Sequence, residues 1–85
     1  MMIGIRKEFK NIDIFIGKLR NRFRGSFEYY ERDINYQIEY CHRGMQYGKV
    51  YPITYIKSLS IEDIDKLVEE FSIELAQFIH TILYY

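Results

Sequence analysis

Tryptophan is absent from this sequence, and cysteine, proline and alanine occur once each, as Cys41, Pro52 and Ala76. A single cysteine closes no internal disulfide, and a small secreted domain usually needs several. No stretch approaches the roughly 18–20 apolar residues that span a bilayer. The opening Met1-Met2-Ile3-Gly4-Ile5 meets Arg6, Lys7 and Glu8, too soon for the apolar core of a signal peptide. These absences predict a cytoplasmic chain with no membrane partner. No linker, repeat or low-complexity segment divides it, so residues 1–85 read as one domain.

The usual chemical signatures are missing as well. Glycines 4, 17, 25, 44 and 48 fit no phosphate-loop spacing. One cysteine and two histidines do not make a zinc site. Cys41 and His42 are adjacent in a predicted strand and point to opposite faces, so they cannot act as nucleophile and base. His80 stands far off in the last helix, and nothing supports a Cys41/His80 pair. The expectation is therefore no catalytic residue, no metal, no cofactor, and no enzymatic activity.

What is present is large and apolar. Nine Tyr and six Phe supply 18% aromatic content within a 48% hydrophobic chain. A domain this short buries only about 60–65% of the surface of its unfolded chain, so bulky side chains must complete a thin core. Fourteen Ile stand against one Ala and two Val. Ile, Tyr, Phe and Lys have AT-rich codons, which points to an AT-rich genome such as that of a low-GC bacterium, its phage or a virus.

The periodicities predict an α+β fold. Ile5, Phe9, Ile12, Ile16, Leu19 and Phe23 step by three and four, the seam of an amphipathic helix. That helix should end at Gly25, with Arg20, Arg22 and Arg24 in its last turn. Ile34 to Tyr40 alternates apolar and polar, the strongest strand signal. Phe27 and Tyr29 alternate in the opposite phase, which requires a bulge or tight turn between Tyr30 and Asp33. His42-Arg43-Gly44-Met45 reads as a hairpin turn. A return strand is expected from about Tyr47 to Lys57, with Tyr51, Ile53 and Tyr55 on one face and Pro52 marking an edge. Ser60 caps a last helix with Asp63 in the third position. Ile64, Leu67, Phe71, Leu75, Phe78 and Ile82 form its stripe. The expected architecture is two-layer: N-terminal helix, two- or three-stranded antiparallel sheet, C-terminal helix. Its core would be Ile34, Tyr36, Ile38, Tyr40, Tyr51, Ile53 and Tyr55 against both seams.

Net charge is zero, but charge is polarised along the chain. Residues 1–24 carry seven Lys/Arg and two acids, a net of +5. Residues 58–85 carry one Lys and six acids, a net of −5. Three surfaces follow. The acidic helix, through Glu62, Asp65, Glu69, Glu70 and Glu74, suits a basic groove on a host protein. Tyr29, Tyr30 and Tyr47, near turns, suit an aromatic interface. Lys18, Arg20, Arg22 and Arg24 suit a nucleic-acid backbone. Against both charge readings, two helices of opposite sign lying side by side would pair with each other and leave little free charge. The functional expectation is a protein-binding module from a phage, virus or mobile element. It would block or adapt a host protein, with an inhibitor of host defence of the anti-CRISPR type as one form. A small nucleic-acid-binding protein is the alternative. A structural homodimer, joined through the edge strand or the Leu83-Tyr84-Tyr85 tail, is a third reading.

Overall fold

The computed structural model describes residues 10–84. Ile5 and Phe9, which open the predicted first seam, lie outside the described residues, as does Tyr85. The order is α1 (Asn11–Arg20), β1 (Ser26–Arg32), β2 (Asn35–His42), β3 (Met45–Pro52), α2 (Ile53–Lys57) and α3 (Ile61–Tyr84). The strands form an antiparallel meander, β1-β2-β3, with β2 in the middle. α1 contacts β1, α3 contacts β3, and the two helices contact each other. This is the expected two-layer α+β arrangement, with three strands.

Both hairpins use two-residue loops. Arg32 pairs with Asn35, leaving Asp33 and Ile34 as the first loop. Asp33 has φ 53°, a left-handed conformation that Asp tolerates better than most residues. His42 pairs with Met45 around Arg43 (φ 50°) and Gly44 (φ 80°). Positive φ at both positions is the primed turn whose twist suits a hairpin. The first loop also supplies the phase change between Tyr29 and Tyr36. It corrects one core assignment: Ile34 is a loop residue and 75% exposed.

The inner face of the sheet carries Phe27, Tyr36, Ile38, Tyr40 and Tyr51, all buried. Phe15 of α1 joins them to α3, standing edge-on to both Tyr51 and Phe71 at 6.0 and 5.8 Å. Ile12, Ile16 and Leu19 complete the α1 face, and Ile64, Leu67, Val68, Phe71 and Leu75 the α3 face. Helices cover one side of the sheet. The other presents Glu28, Tyr30, Arg32, Gln37, Glu39, Cys41, Gln46 and Val50. Glu28 lies directly opposite Glu39 there, and hydrogen bonds donated by Tyr30 and Gln37 offset the like-charge contact.

Two predicted boundaries move. The return strand stops at Pro52, opposite the first residue of β2; the Ile53 N–H makes a last cross-strand bond to the Ile34 carbonyl at 2.8 Å, and α2 begins there. Ile53 and Tyr55 are therefore helical, and Tyr55 is 43% exposed while Ile56 fills the core instead. α1 ends at Arg20, five residues before Gly25, so Arg22 and Arg24 lie past its last turn. Gly25 serves the sheet, not the helix. It has φ 119°, and a Cβ there would lie 2.7 Å from the His42 Cβ and 2.8 Å from the Cys41 carbonyl oxygen.

The last helix begins as its sequence predicts. The Ser60 hydroxyl accepts from the Asp63 N–H at 3.1 Å, and the Asp63 carboxylate accepts from the Ser60 N–H at 3.4 Å. Asn11 does a comparable task unannounced by any motif. Its side-chain amide donates to the carbonyls of Ile56 and Leu59, both at 2.9 Å, tying the start of α1 to the link between α2 and α3.

Candidate partner-binding surface

The acidic positions on α3 divide by their neighbours. Asp65 accepts from Lys18 at 2.6 Å, and Glu69 from Arg22 at 2.5 Å. The step from Lys18, in α1, to Arg22, just past its end, matches the step from Asp65 to Glu69 along α3, so the two helices run parallel. Glu74 takes the Lys49 ammonium and, at 3.3 Å, the Tyr47 hydroxyl. The Lys49 contact first, then Tyr47, holds the Glu74 carboxyl below the ordinary range, against some desolvation. Glu62 and Glu70 are exposed and make no ion pair among the described residues. Pairs this exposed add about 0–1 kcal/mol each to stability. Their larger effect is to neutralise the acidic face from within.

The four cations do not form one patch. Lys18 and Arg22 hold Asp65 and Glu69, while the Arg20 guanidinium donates to the Phe27 carbonyl at 2.7 Å. Arg24 alone of the four makes no side-chain hydrogen bond or ion pair among the described residues. The three tyrosines are also dispersed. Tyr29 donates to Asp13 at 2.8 Å, and that bond, then burial, raises its hydroxyl to about 12. Tyr30 is 46% exposed on the open sheet face and donates to Glu28. Tyr47 faces inward, packed against Phe71 and Phe78. Cys41 is exposed on the open side of the sheet, whereas α3 and His80 lie on the other. Among the described residues no three His, Cys, Asp or Glu side chains gather as metal ligands. No helix among them is long and apolar enough to cross a membrane.

A different surface stands out. α3 has 24 residues, about 36 Å of helix, whereas strands of 7–8 residues extend about 23–27 Å. The core-facing stripe of α3 continues into residues that the sheet does not cover. Phe78 and Ile79 are half-buried, but Ile82 is 48% and Leu83 60% exposed. Beside them, Phe23, Tyr40 and Met45 complete a cleft of about 400 Å³ whose rim holds Arg22, Arg24, His42 and Arg43.

No family model, curated protein or solved structure matches this chain.

The cleft escapes a reading of the sequence because Phe78 and Ile82 continue the stripe of Ile64 and Phe71 without a break. One available signal is length. A stripe running to Ile82 needs a longer sheet than two-residue hairpins between strands of seven or eight residues provide. The exposure of its apolar wall and the guanidiniums at its rim suit it to contact with another molecule.

Proposed function

We propose that this chain is a small non-enzymatic protein-binding module that acts by occupying or adapting a host protein in the cytoplasm. The observation that carries this reading is the apolar cleft at the free end of α3. Exposed Ile82 and Leu83 form part of its wall, and arginines stand on its rim. Contiguous apolar surface edged by polar groups is how protein interfaces differ from scattered exposed hydrophobics. The source in a phage, virus or mobile element, and inhibition of host defence as the outcome, rest on the Ile-rich, Ala-poor composition. A coding sequence with GC-rich third positions removes that support.

The internal ion pairs bear on how such a module works. Asp65, Glu69 and Glu74 are already held by Lys18, Arg22 and Lys49, which argues against the acidic face as the principal contact. The same pairs weigh against nucleic-acid binding through Lys18 and Arg22. The test is retention of a partner from lysate of the native host, with and without nuclease. The wild type is expected to retain one protein at fixed stoichiometry, insensitive to nuclease. The double variant Ile82→Ser, Leu83→Ser should lose it while melting at an unchanged temperature, because both residues are exposed. Recovery that collapses with nuclease would favour the nucleic-acid reading instead.

A further inference from the structure

We infer that the cleft at the end of α3 seats an acidic amphipathic helix of the partner protein. This rests on the reading of the chain as a protein-binding module and names the chemistry of what it binds.

The wall of the cleft selects the shape. Ile79, Ile82 and Leu83 lie at i, i+3 and i+4, so they form a ridge along one side of α3. Across from that ridge stand Phe23 and Met45. A second helix laid along the ridge would place its own apolar residues in the cleft, which is the helix-in-groove mode of recognition.

The rim selects the charge. The three segments that meet at this end of the molecule, residues 20–27, 40–46 and 75–84, contain four arginines and two histidines but no Asp or Glu. Arg22 is taken up by Glu69 and Arg20 by the Phe27 carbonyl. Arg24 and Arg43 line the cleft and have no carboxylate among the described residues. The C-terminal dipole of α3 opposes an anion there, but it amounts to about half a charge against two full guanidinium charges. An occupant with acids flanking its apolar face satisfies both arginines.

Other occupants fit less well. A second copy would bring an acidic helix on which Asp65, Glu69 and Glu74 are already engaged, leaving Glu62 and Glu70, about two turns apart, without an ion pair among the described residues. The chain's own N-terminal residues 1–9 carry Arg6 and Lys7 against Glu8, the wrong sign for this rim.

Arg43 adds an independent handle. It is the first residue of a two-residue hairpin loop, at φ 50°, where Asn or Gly is ordinarily favoured. A long cationic side chain in that conformation is costly to the fold yet places a guanidinium on the cleft rim.

The test uses two labelled peptides of about 18 residues, long enough to hold a helix. Both carry the same leucine face, one with Glu flanking it and the other with Lys. Fluorescence anisotropy with the full chain should show the Glu peptide binding at least about tenfold more tightly. Its affinity should weaken as salt is raised. Arg43→Asn should raise the melting temperature and still weaken the Glu peptide several-fold, a combination that general destabilisation cannot produce. Ile82→Ser with Leu83→Ser should abolish binding.

Equal affinity for the two peptides, or binding unaffected by the serine variants, would overturn the proposal. So would a concentration-dependent dimer that the serine variants dissolve, or displacement of the Glu peptide by a short oligothymidylate or by phosphatidylglycerol vesicles. If the serine variants lose the natural partner but the peptides bind alike, protein binding stands and the acidic class falls. If the variants retain the natural partner, both fall.

Discussion

Tyr51 is the least comfortable side chain in the core. Its ring is well used, edge-on to Phe15 and stacked on Tyr55, but its hydroxyl is buried with no hydrogen-bond partner among the described residues. Leaving such a donor unpaired costs about 1–3 kcal/mol. Tyr51→Phe keeps the ring and removes the cost, so it should stabilise the fold by about 1 kcal/mol. In a domain of this size that amounts to roughly 4–8 °C in melting temperature by calorimetry. An unchanged or lower value would mean that the hydroxyl is satisfied after all. Asn11 and Gly25 are the converse cases, single residues whose identity the fold demands. Neither role is visible locally, because each depends on a segment distant in sequence: the carbonyls of Ile56 and Leu59 for Asn11, and the backbone at Cys41 for Gly25. Arg43 was legible as a turn residue, but the use of its guanidinium was not, since the cleft it borders draws on three separate segments.

α3 and β2 were the elements most readable in advance, and for good reason. α3 has a cap, an uninterrupted stripe and no Gly or Pro. β2 alternates cleanly because one of its faces is buried and the other is bare. Ser60→Ala should cost about 1 kcal/mol, since it removes one half of the reciprocal cap. Chemical denaturation checks this, and a loss below a few tenths would mean that Asp63 alone suffices. From Tyr51 to Lys57 the sequence is ambiguous, because alternation over three residues fits both a strand and the start of a helix. The partner strand decides it: the Ile53 N–H still reaches the Ile34 carbonyl, but beyond that the partner has turned away into the first loop, and burial passes from Ile53 to Ile56 at a helical step of three. α1 stops at Arg20, short of the end that its stripe predicts. Phe23 keeps the spacing of the seam, yet it packs on Phe27 and Tyr40 from the connection to β1.

The molecule as a whole is neutral, and its polarity along the chain becomes pairing in space. The described parts of the basic and acidic segments lie side by side, with Lys18 on Asp65 and Arg22 on Glu69. Charge runs in a sequence therefore overstated the free charge on the surface. The tyrosines govern the alkaline limit of stability. Tyr29 is raised to about 12 by its bond to Asp13 and by burial, and burial raises Tyr51 further. The folded state thus holds both protons more tightly than the unfolded chain, whose tyrosines titrate near pH 10. Stability should be full below about pH 10 and fall as pH rises from there toward 12. Denaturant midpoints across pH 8–12 would show it, and Tyr29→Phe should flatten the decline. A midpoint that holds steady through pH 12 would contradict the assignment. Glu74 has the opposite sign. Its carboxyl is lowered, so its contribution is present above about pH 4.5 and is lost on acidification.

The parallel course of α1 and α3 has a consequence in time. Each hairpin closes over two residues, but Lys18 meets Asp65 across 47 residues of chain, as Arg22 meets Glu69. Short loops close first and long ones last. A chain emerging from the ribosome therefore exposes Ile12, Phe15, Ile16 and Leu19 until its final third has been made, a sticky interval that the quickly closing meander shortens by offering those side chains an inner face. Pulse-labelled hydrogen exchange during refolding should protect the β1–β2 and β2–β3 amides before those of α1, and simultaneous protection would show that helices and sheet dock in one step.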